Sequence, residues 1–305
     1  MTELAALVAR GLRQPMAADL ATLAAHLRQT LGGEAVLFYG SALRADKIEG
    51  VLDFYMLCAA PEGQRPTWSF LWPRVSYHEV EIGGQIVRAK VATMPLSTFE
   101  TAAGGAMLDT TIWARFAQPA RLLIATAPAI EERVVNAIRD CVHTAARFAA
   151  ALGPESGRAE DYWLALFAQT YGAELRVEAQ GRGRSILITD PAYYREALRL
   201  AWQDLGLIGA EQSEPLHPAV SDTHRRQWQA RWRRRARAGK LINILRLIRA
   251  AWTFDGATRY ALWKIERHSG ISIALTPWRE RHPILAAPGV LFQLWRAGGR
   301  WASPS

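Results

Sequence analysis

Two apolar runs separated by a charged loop constrain this chain more than any other feature. The first, Val36-Leu-Phe-Tyr-Gly-Ser-Ala-Leu-Arg44, ends in Gly40-Ser41, and the second, Val51-Leu-Asp53-Phe-Tyr-Met-Leu57, carries one carboxylate near its start. Runs this short and this apolar read as buried strands. An aspartate inside such a strand is unfavourable unless it meets a cation or hydrogen-bond donors. Gly40 lets the backbone approach a ligand closely, and Ser41 offers a hydroxyl and an N–H at a turn. Strand, Gly-Ser turn, loop and acid-bearing strand together predict an α/β fold whose turn faces phosphate and whose Asp53 faces a metal ion.

The rest of the chain organises around this unit. Residues 1–31 carry Ala, Leu and Val at helical spacing, interrupted at Pro15. Residues 61–74 form a Pro- and Trp-rich connection. Val75 to Ile82 and Gln85 to Val91 flank Gly83-Gly84, which predicts a hairpin. Residues 96–117 read as helical and 119–125 as a strand. Helices are expected over 129–152, 159–172 and 191–205, with an extended piece over 173–178 and a short basic loop over 181–184. A domain boundary is expected near 126–130, and 212–221 reads as a polar, Pro-containing linker.

Charge is distributed unevenly. Residues 225–305 hold 17 Lys/Arg against 3 Asp/Glu, a balance of +14, whereas residues 1–224 hold 20 against 25, a balance of −5. One end is therefore suited to an anionic partner, either nucleic acid or a membrane surface. Tryptophan alternates with arginine from His224 to Arg237. Lys240 to Trp252 reads as an amphipathic helix in which Arg246, Arg249 and Trp252 would meet lipid headgroups. Pro283 to Trp295 is apolar but spans only 13 residues, too few for the roughly 20 a crossing needs. Five of the 12 tryptophans fall between Trp252 and Trp301, as interfacial anchoring predicts. Arginine tracking phosphates with tryptophan stacked on bases would serve RNA or single-stranded DNA equally well. The apolar, proline-bearing C-terminal stretch favours lipid, so nucleic acid is not the expected partner.

The two cysteines imply no disulfide framework, and the start of the chain shows no secretion signal, which predicts a reducing, cytoplasmic setting. Histidine and cysteine spacing predicts no zinc site, and no Walker or dinucleotide-type glycine pattern follows a strand.

Several blocks in order resemble the mitochondrial-type phosphatidate cytidylyltransferases, the translocator assembly and maintenance family, and their bacterial relatives. Tyr39-Gly40-Ser41 and Leu52-Asp53-Phe54 match that family's Tyr-Gly-Ser and Leu/Ile-Asp-Phe steps. Tyr77-His78 is similar to its Tyr-Asn step, and Lys90-Val91-Ala92-Thr93 to its Lys-Tyr-Gly-Val strand. Trp113 to Ala120 resembles an Ala-Gly-Arg-Leu-x-Lys-Pro-Val block, with Gln118 in place of the lysine. Tyr171 to Val177 and Ile248 to Gly256 resemble two later blocks, so the similarity spans residues of about 34 to 265.

The resemblance implies a nucleotidyltransferase fold with a mixed sheet over 1–126. A helical second domain over 127–222 follows, with a winged-helix-like form as one option, and then a basic, Trp-rich membrane-associating region over 223–305. It implies a Mg²⁺-dependent reaction of CTP with phosphatidic acid, giving CDP-diacylglycerol and pyrophosphate for phospholipid synthesis, at the cytoplasmic face of an inner membrane. Asp53 would hold the metal and Lys90 would clamp phosphate. Tyr39, Gly40, Ser41 and Arg115 would bind nucleotide, while Tyr77, His78 and Arg176 would touch substrate or join domains. Arg115 could equally pair with an acid in the core, and Arg176 with Glu178. The superfamily's usual Asp-x-Asp is reduced to one acid here, because position 55 is tyrosine; Glu79 or Glu81 could supply a second ligand. Two alternatives stay open: a nucleotidyltransferase acting on RNA or protein, and an inactive tether with the same fold.

Overall fold

The computed structural model describes residues 2–45, 50–60, 72–173, 182–253, 256–281 and 283–296. The chain begins α1 (Glu3–Leu12), α2 (Ala18–Leu31), β1 (Ala35–Tyr39), α3 (Ser41–Ala45) and β2 (Val51–Cys58). It continues through β3 (Arg74–Ile82), β4 (Gln85–Pro95), α4 (Leu96–Ala103), α5 (Thr111–Phe116) and β5 (Arg121–Ala125). Helices follow: α6 (Pro128–Leu152), α7 (Ala159–Ala173), α8 (Arg182–Thr189), α9 (Pro191–Asp204), α10 (Asp222–Thr253), α11 (Ala257–Ser269), α12 (Pro277–Arg281) and α13 (Pro283–Arg296).

Local chemistry sets many of these limits. α1 starts where the Thr2 hydroxyl accepts the Ala5 N–H at 3.2 Å, and the helical pattern breaks ahead of Pro15. α6 and α9 each open on a proline, whose missing N–H removes a donor that the first turn could not pair. Asp190 caps α9 by accepting the Tyr193 N–H at 3.0 Å.

The five strands form one mixed sheet in the order β3-β4-β2-β1-β5. After β2 the chain reaches the sheet edge as β3, turns at Gly83-Gly84, and returns as β4 between β3 and β2. That return makes β4 parallel to β2, while every other pairing is antiparallel. Both faces are covered, which is why β1 and β2 read as continuous apolar runs. One face presents Val36, Phe38, Leu52, Phe54 and Met56 to Leu20, Leu23 and Leu27 of α2. The other presents Leu37, Tyr55, Leu57 and Met94 to α1, α4, α5 and α6. This second core runs on without a break through α7 and α9, from Leu4 to Trp232, and so crosses position 126.

The structure differs from expectation in four places. The helix expected over 96–117 is two helices, α4 and α5, separated at Gly104-Gly105. Of the basic loop expected over 181–184, residues 182–184 instead open α8, because Ile186 and Leu187 are buried against the core and tertiary packing outweighs the local Gly183; residue 181 lies outside the described residues. The linker expected over 212–221 is pinned. Leu216 is buried, exchanges backbone hydrogen bonds with Gly157, and accepts the Tyr162 hydroxyl at 2.9 Å. The Trp/Arg stretch and the amphipathic helix after it form a single helix, α10, whose first half packs inward. Trp232 is buried and meets Trp113 and Phe148 edge-on, and the buried Arg235 lies over the Phe148 ring and donates to the Gly105 carbonyl. The extended piece expected over 173–178 falls outside the described residues, apart from Ala173 at the end of α7.

Candidate active site

Strand register brings four of the sequence-selected residues into one row across the sheet. Tyr39 of β1 pairs with Asp53 of β2, Asp53 with Lys90 of β4, and Lys90 with Tyr77 of β3. Residues opposite one another on neighbouring strands share a face. This row therefore lies on the face that carries Leu37, Tyr55 and Met94 deeper in the core. His78, adjacent in sequence to Tyr77, points to the opposite face, where its Nε2 is 2.8 Å from the Ser76 hydroxyl.

Gly40 ends β1 with φ +100°. A Cβ at this position would stand 3.0 Å from Asp53 Oδ2 in a backbone conformation that L side chains rarely adopt. Glycine thus keeps one carboxylate oxygen accessible and lets the chain turn into α3. Ser41, the first residue of α3, is exposed. Asp53 and Lys90 are half-buried neighbours. Among the described residues the Asp53 carboxylate accepts no hydrogen bond, and neither it nor the Lys90 ammonium forms an ion pair.

Arg115 reaches the row from α5. Its guanidinium lies 5.2 Å from the centre of the Tyr39 ring, and its Nη1 donates to the Tyr55 hydroxyl at 3.3 Å. A phenol and two aromatic faces thus hold Arg115 at the edge of the row. Tyr55, at the position where Asp-x-Asp would carry its second acid, is fully buried among Tyr39, Phe99 and Phe116. Gln118, at the resembling family's lysine position, accepts from Arg44 Nη1 at 3.3 Å.

At the other end of the row, the Tyr77 hydroxyl donates to Glu79 at 3.0 Å, and Arg88 Nε donates to the same oxygen at 3.2 Å. Burial, and next the Glu79 hydrogen bond, push the Tyr77 phenol well up, so it remains a donor at any physiological pH. Glu79 is thus committed to two donors. Among the described residues no three His, Cys, Asp or Glu side chains gather as a metal cluster. The donor set still suits Mg²⁺, which is commonly held by one or two carboxylates together with substrate phosphates. Asp53 would be that carboxylate, and the missing Cβ of Gly40 leaves room beside it.

Sequence reasoning counted Trp263 among the interfacial anchors and passed over Tyr260, yet α11 brings both to this face of the sheet. Tyr260 lies 5.4 Å from Tyr77 between ring centres, and Trp263 lies under the Arg88 guanidinium at 5.5 Å. Their spacing with Lys264 and Arg267, at i, i+3, i+4 and i+7, was the available signal. Arg176 is outside the described residues. Arg246, Arg249 and Trp252 belong to α10, and their side chains are likewise outside the described set. No helix among the described residues is long and apolar enough to cross a membrane. No protein-family model and no curated protein matches this chain.

Proposed function

We propose that the Tyr39–Asp53–Lys90–Tyr77 row transfers a nucleotidyl group, from CTP to phosphatidic acid, in a nucleotidyltransferase fold docked on an anionic membrane. The observation that carries this reading is the Asp53–Lys90 pair. A carboxylate and an ammonium stand side by side on one sheet face, half-buried, with no partner among the described residues. Half-buried charge without a protein partner is unfavourable unless an external ligand completes it. The choice of CTP and of a lipid acceptor rests on the sequence resemblance.

In this reading Lys90 attracts the phosphate chain and Arg115, held over the Tyr39 ring, orients it. Ser41 and the backbone at Gly40 cradle its end, while Tyr77 gives its one O–H to Glu79 and borders the row as a neutral phenol. Asp53 would hold Mg²⁺, which when bound would supply charge stabilisation at the phosphoryl oxygens. An oxygen of the phosphatidate phosphate forms a bond to the CTP α-phosphorus, and the bond from that phosphorus to pyrophosphate breaks in line. Rate then comes from positioning and electrostatic preorganisation.

Membrane association is supported by the C-terminal helices. Ile244 and Leu245 of α10, Leu275, Trp278 of α12 and Phe292 of α13 are exposed large apolar side chains. Arg226, Arg233, Arg234 and Arg237 line the exposed side of α10 and form no ion pair among the described residues. Each basic side chain near an anionic bilayer contributes about 1 kcal/mol. The inactive-tether reading draws on Tyr55, a core residue at the position of the second acid.

The test is pyrophosphate release by the purified protein with Mg²⁺, each of the four NTPs in turn, and phosphatidic acid micelles. The expected result is release from CTP only when phosphatidic acid is present, with CDP-diacylglycerol formed. No release from any NTP by folded, vesicle-binding protein overturns the enzymatic reading in favour of the tether.

A further inference from the structure

We infer that α11 forms a second wall of the same site, and that Lys264 and Arg267 bind the phosphate chain of a polyphosphate ligand, a nucleoside triphosphate or pyrophosphate, from the side opposite Arg115. The inference rests on the reading of the Asp53–Lys90 row as a phosphate site.

α11 is anchored on the sheet. The turn before it passes so close to β3 that a Cβ on Gly256, at φ +79°, would stand 2.8 Å from the Tyr77 carbonyl oxygen. Four side chains at i, i+3, i+4 and i+7, namely Tyr260, Trp263, Lys264 and Arg267, share one stripe of the helix. Its first two members pack on the sheet: Tyr260 on Tyr77, and Trp263 under Arg88. A packed stripe is normally apolar throughout. Here it ends in two cations, and neither meets an acid among the described residues. Lys264 Nζ lies 4.9 Å from the centre of the Tyr260 ring, and the Arg267 guanidinium lies 5.3 Å from that of Trp263. Aromatic faces hold cations in place without neutralising them.

The position of Arg267 gives the stripe its meaning. One terminal nitrogen of its guanidinium lies 3.0 Å from where a Cβ of Gly50 would sit, and Gly50 is the residue before β2. Val51, the next residue, pairs with Arg88, which pairs with Glu79; two residues further along each strand is the Asp53–Lys90–Tyr77 row. Two residues of strand span about 7 Å. Arg267 therefore stands beside the row adjacent to the catalytic one. Among the described residues Lys264 and Arg267 meet no acid on this side. Glu79 is already shared between Tyr77 and Arg88, and Glu266, the acid of α11, is exposed. An extended anion with several phosphates fits the path from Lys90 past Arg88 to Arg267. A single carboxylate would leave much of that charge unanswered.

The experiment is calorimetric titration of the full chain with Mg²⁺ and either inorganic tripolyphosphate or CTP, comparing Arg267→Gln, Lys264→Gln, Lys90→Gln and Arg259→Gln. Arg259 is also on α11 but is exposed and paired with Glu280 at 3.0 Å, so it controls for bulk charge. Arg267→Gln is expected to weaken tripolyphosphate about tenfold, the loss of one charge-assisted contact. Lys264→Gln should act in the same direction, Arg259→Gln should change nothing, and Arg267→Lys should recover part of the loss. Equal losses in CTP and tripolyphosphate assign the contact to the phosphate chain. Loss in Lys90→Gln with wild-type affinity in Arg267→Gln overturns the inference and leaves the row standing. Loss in Arg267→Gln with none in Lys90→Gln overturns the row instead. Equal loss in all four variants, or no binding by the wild-type protein, overturns the inference.

Discussion

Arg235 and Arg267 both lie on aromatic rings, 5.2 Å from the centre of Phe148 and 5.3 Å from that of Trp263. Their surroundings differ completely. Arg235 is buried in the joint between α6 and α10, where it donates to the Gly105 carbonyl and its Nε has no hydrogen-bond partner. Burial, with Arg231 and Arg234 nearby, makes its proton easier to lose than an ordinary guanidinium's. Arg267 is exposed at the edge of the sheet row. Arginine on an aromatic ring is therefore a docking device where the rings are buried and an anion-facing device where they line an open face. The basic C-terminal third contains both, and net charge alone does not separate them.

The largest expected effect tests the buried side. Trp232→Ala removes a ring packed on Trp113 and Phe148 and should lower stability by about 3–5 kcal/mol in denaturant unfolding. Specific activity of the folded fraction should be kept. Survival of full stability would mean that α10 is not part of the core.

On the open side, Asp53→Asn should reduce pyrophosphate release about 100- to 1,000-fold, as removal of one preorganised electrostatic group does. Its unfolding midpoint should stay at the wild-type value, because the Asp53 carboxylate has no hydrogen bond among the described residues to lose. Retained turnover would remove Asp53 from the metal-ligand role.

Arg235→Met sharpens the comparison. It keeps the packing against Phe148 but leaves the Gly105 carbonyl without its donor, which costs about 1–2 kcal/mol. Turnover and tripolyphosphate affinity should be unchanged, in contrast with Arg267→Gln. A loss of affinity in Arg235→Met would show that the two arginines act together.

The smallest effect is a pH slope from the helical layer. Burial lowers the His143 pKa below 6.5, opposed by the hydrogen bond to Asp204 at 3.1 Å, with Asp140 and Arg139 also facing the ring. The unfolded chain then binds the proton more tightly than the folded one. His143's contribution is complete above about pH 6.5 and is lost as pH falls toward its folded pKa. Thermal unfolding of His143→Gln between pH 7 and 5 should show a shallower loss of stability than the wild type. Identical slopes would assign the acid sensitivity elsewhere.

Much of the sheet could be read from the chain alone. Ala35 to Tyr39 and Val51 to Cys58 are short apolar runs with no helical period, and Gly83-Gly84 marks the hairpin between β3 and β4. Asp53 was conspicuous as a carboxylate in an apolar strand. Opposite faces for Tyr77 and His78 follow from the two-residue period of a strand, so their separation was legible too. The inner face of α10 was visible as Trp228, Trp232 and Arg235 at i, i+4 and i+7, but the density of arginine drew attention to solvent. Gly181–Arg184 read as a loop because glycine and arginine carry no burial signal, whereas Ile186 and Leu187 further along hold residues 182–184 in α8.

Local chemistry, then, set which residues became strands, where helices start, and which side chains carry charge, since these depend on backbone preference and periodicity within a few residues. Tertiary structure alone decided that Lys90 stands beside Asp53, because β4 returns from the edge hairpin to lie parallel to β2. It also decided that Tyr260 and Trp263 meet Tyr77 and Arg88 across more than 170 positions of chain. Those adjacencies come from long-range pairing and packing, where the gain in buried contact outweighs loop-closure entropy, and no local pattern encodes which distant surface a helix stripe will meet.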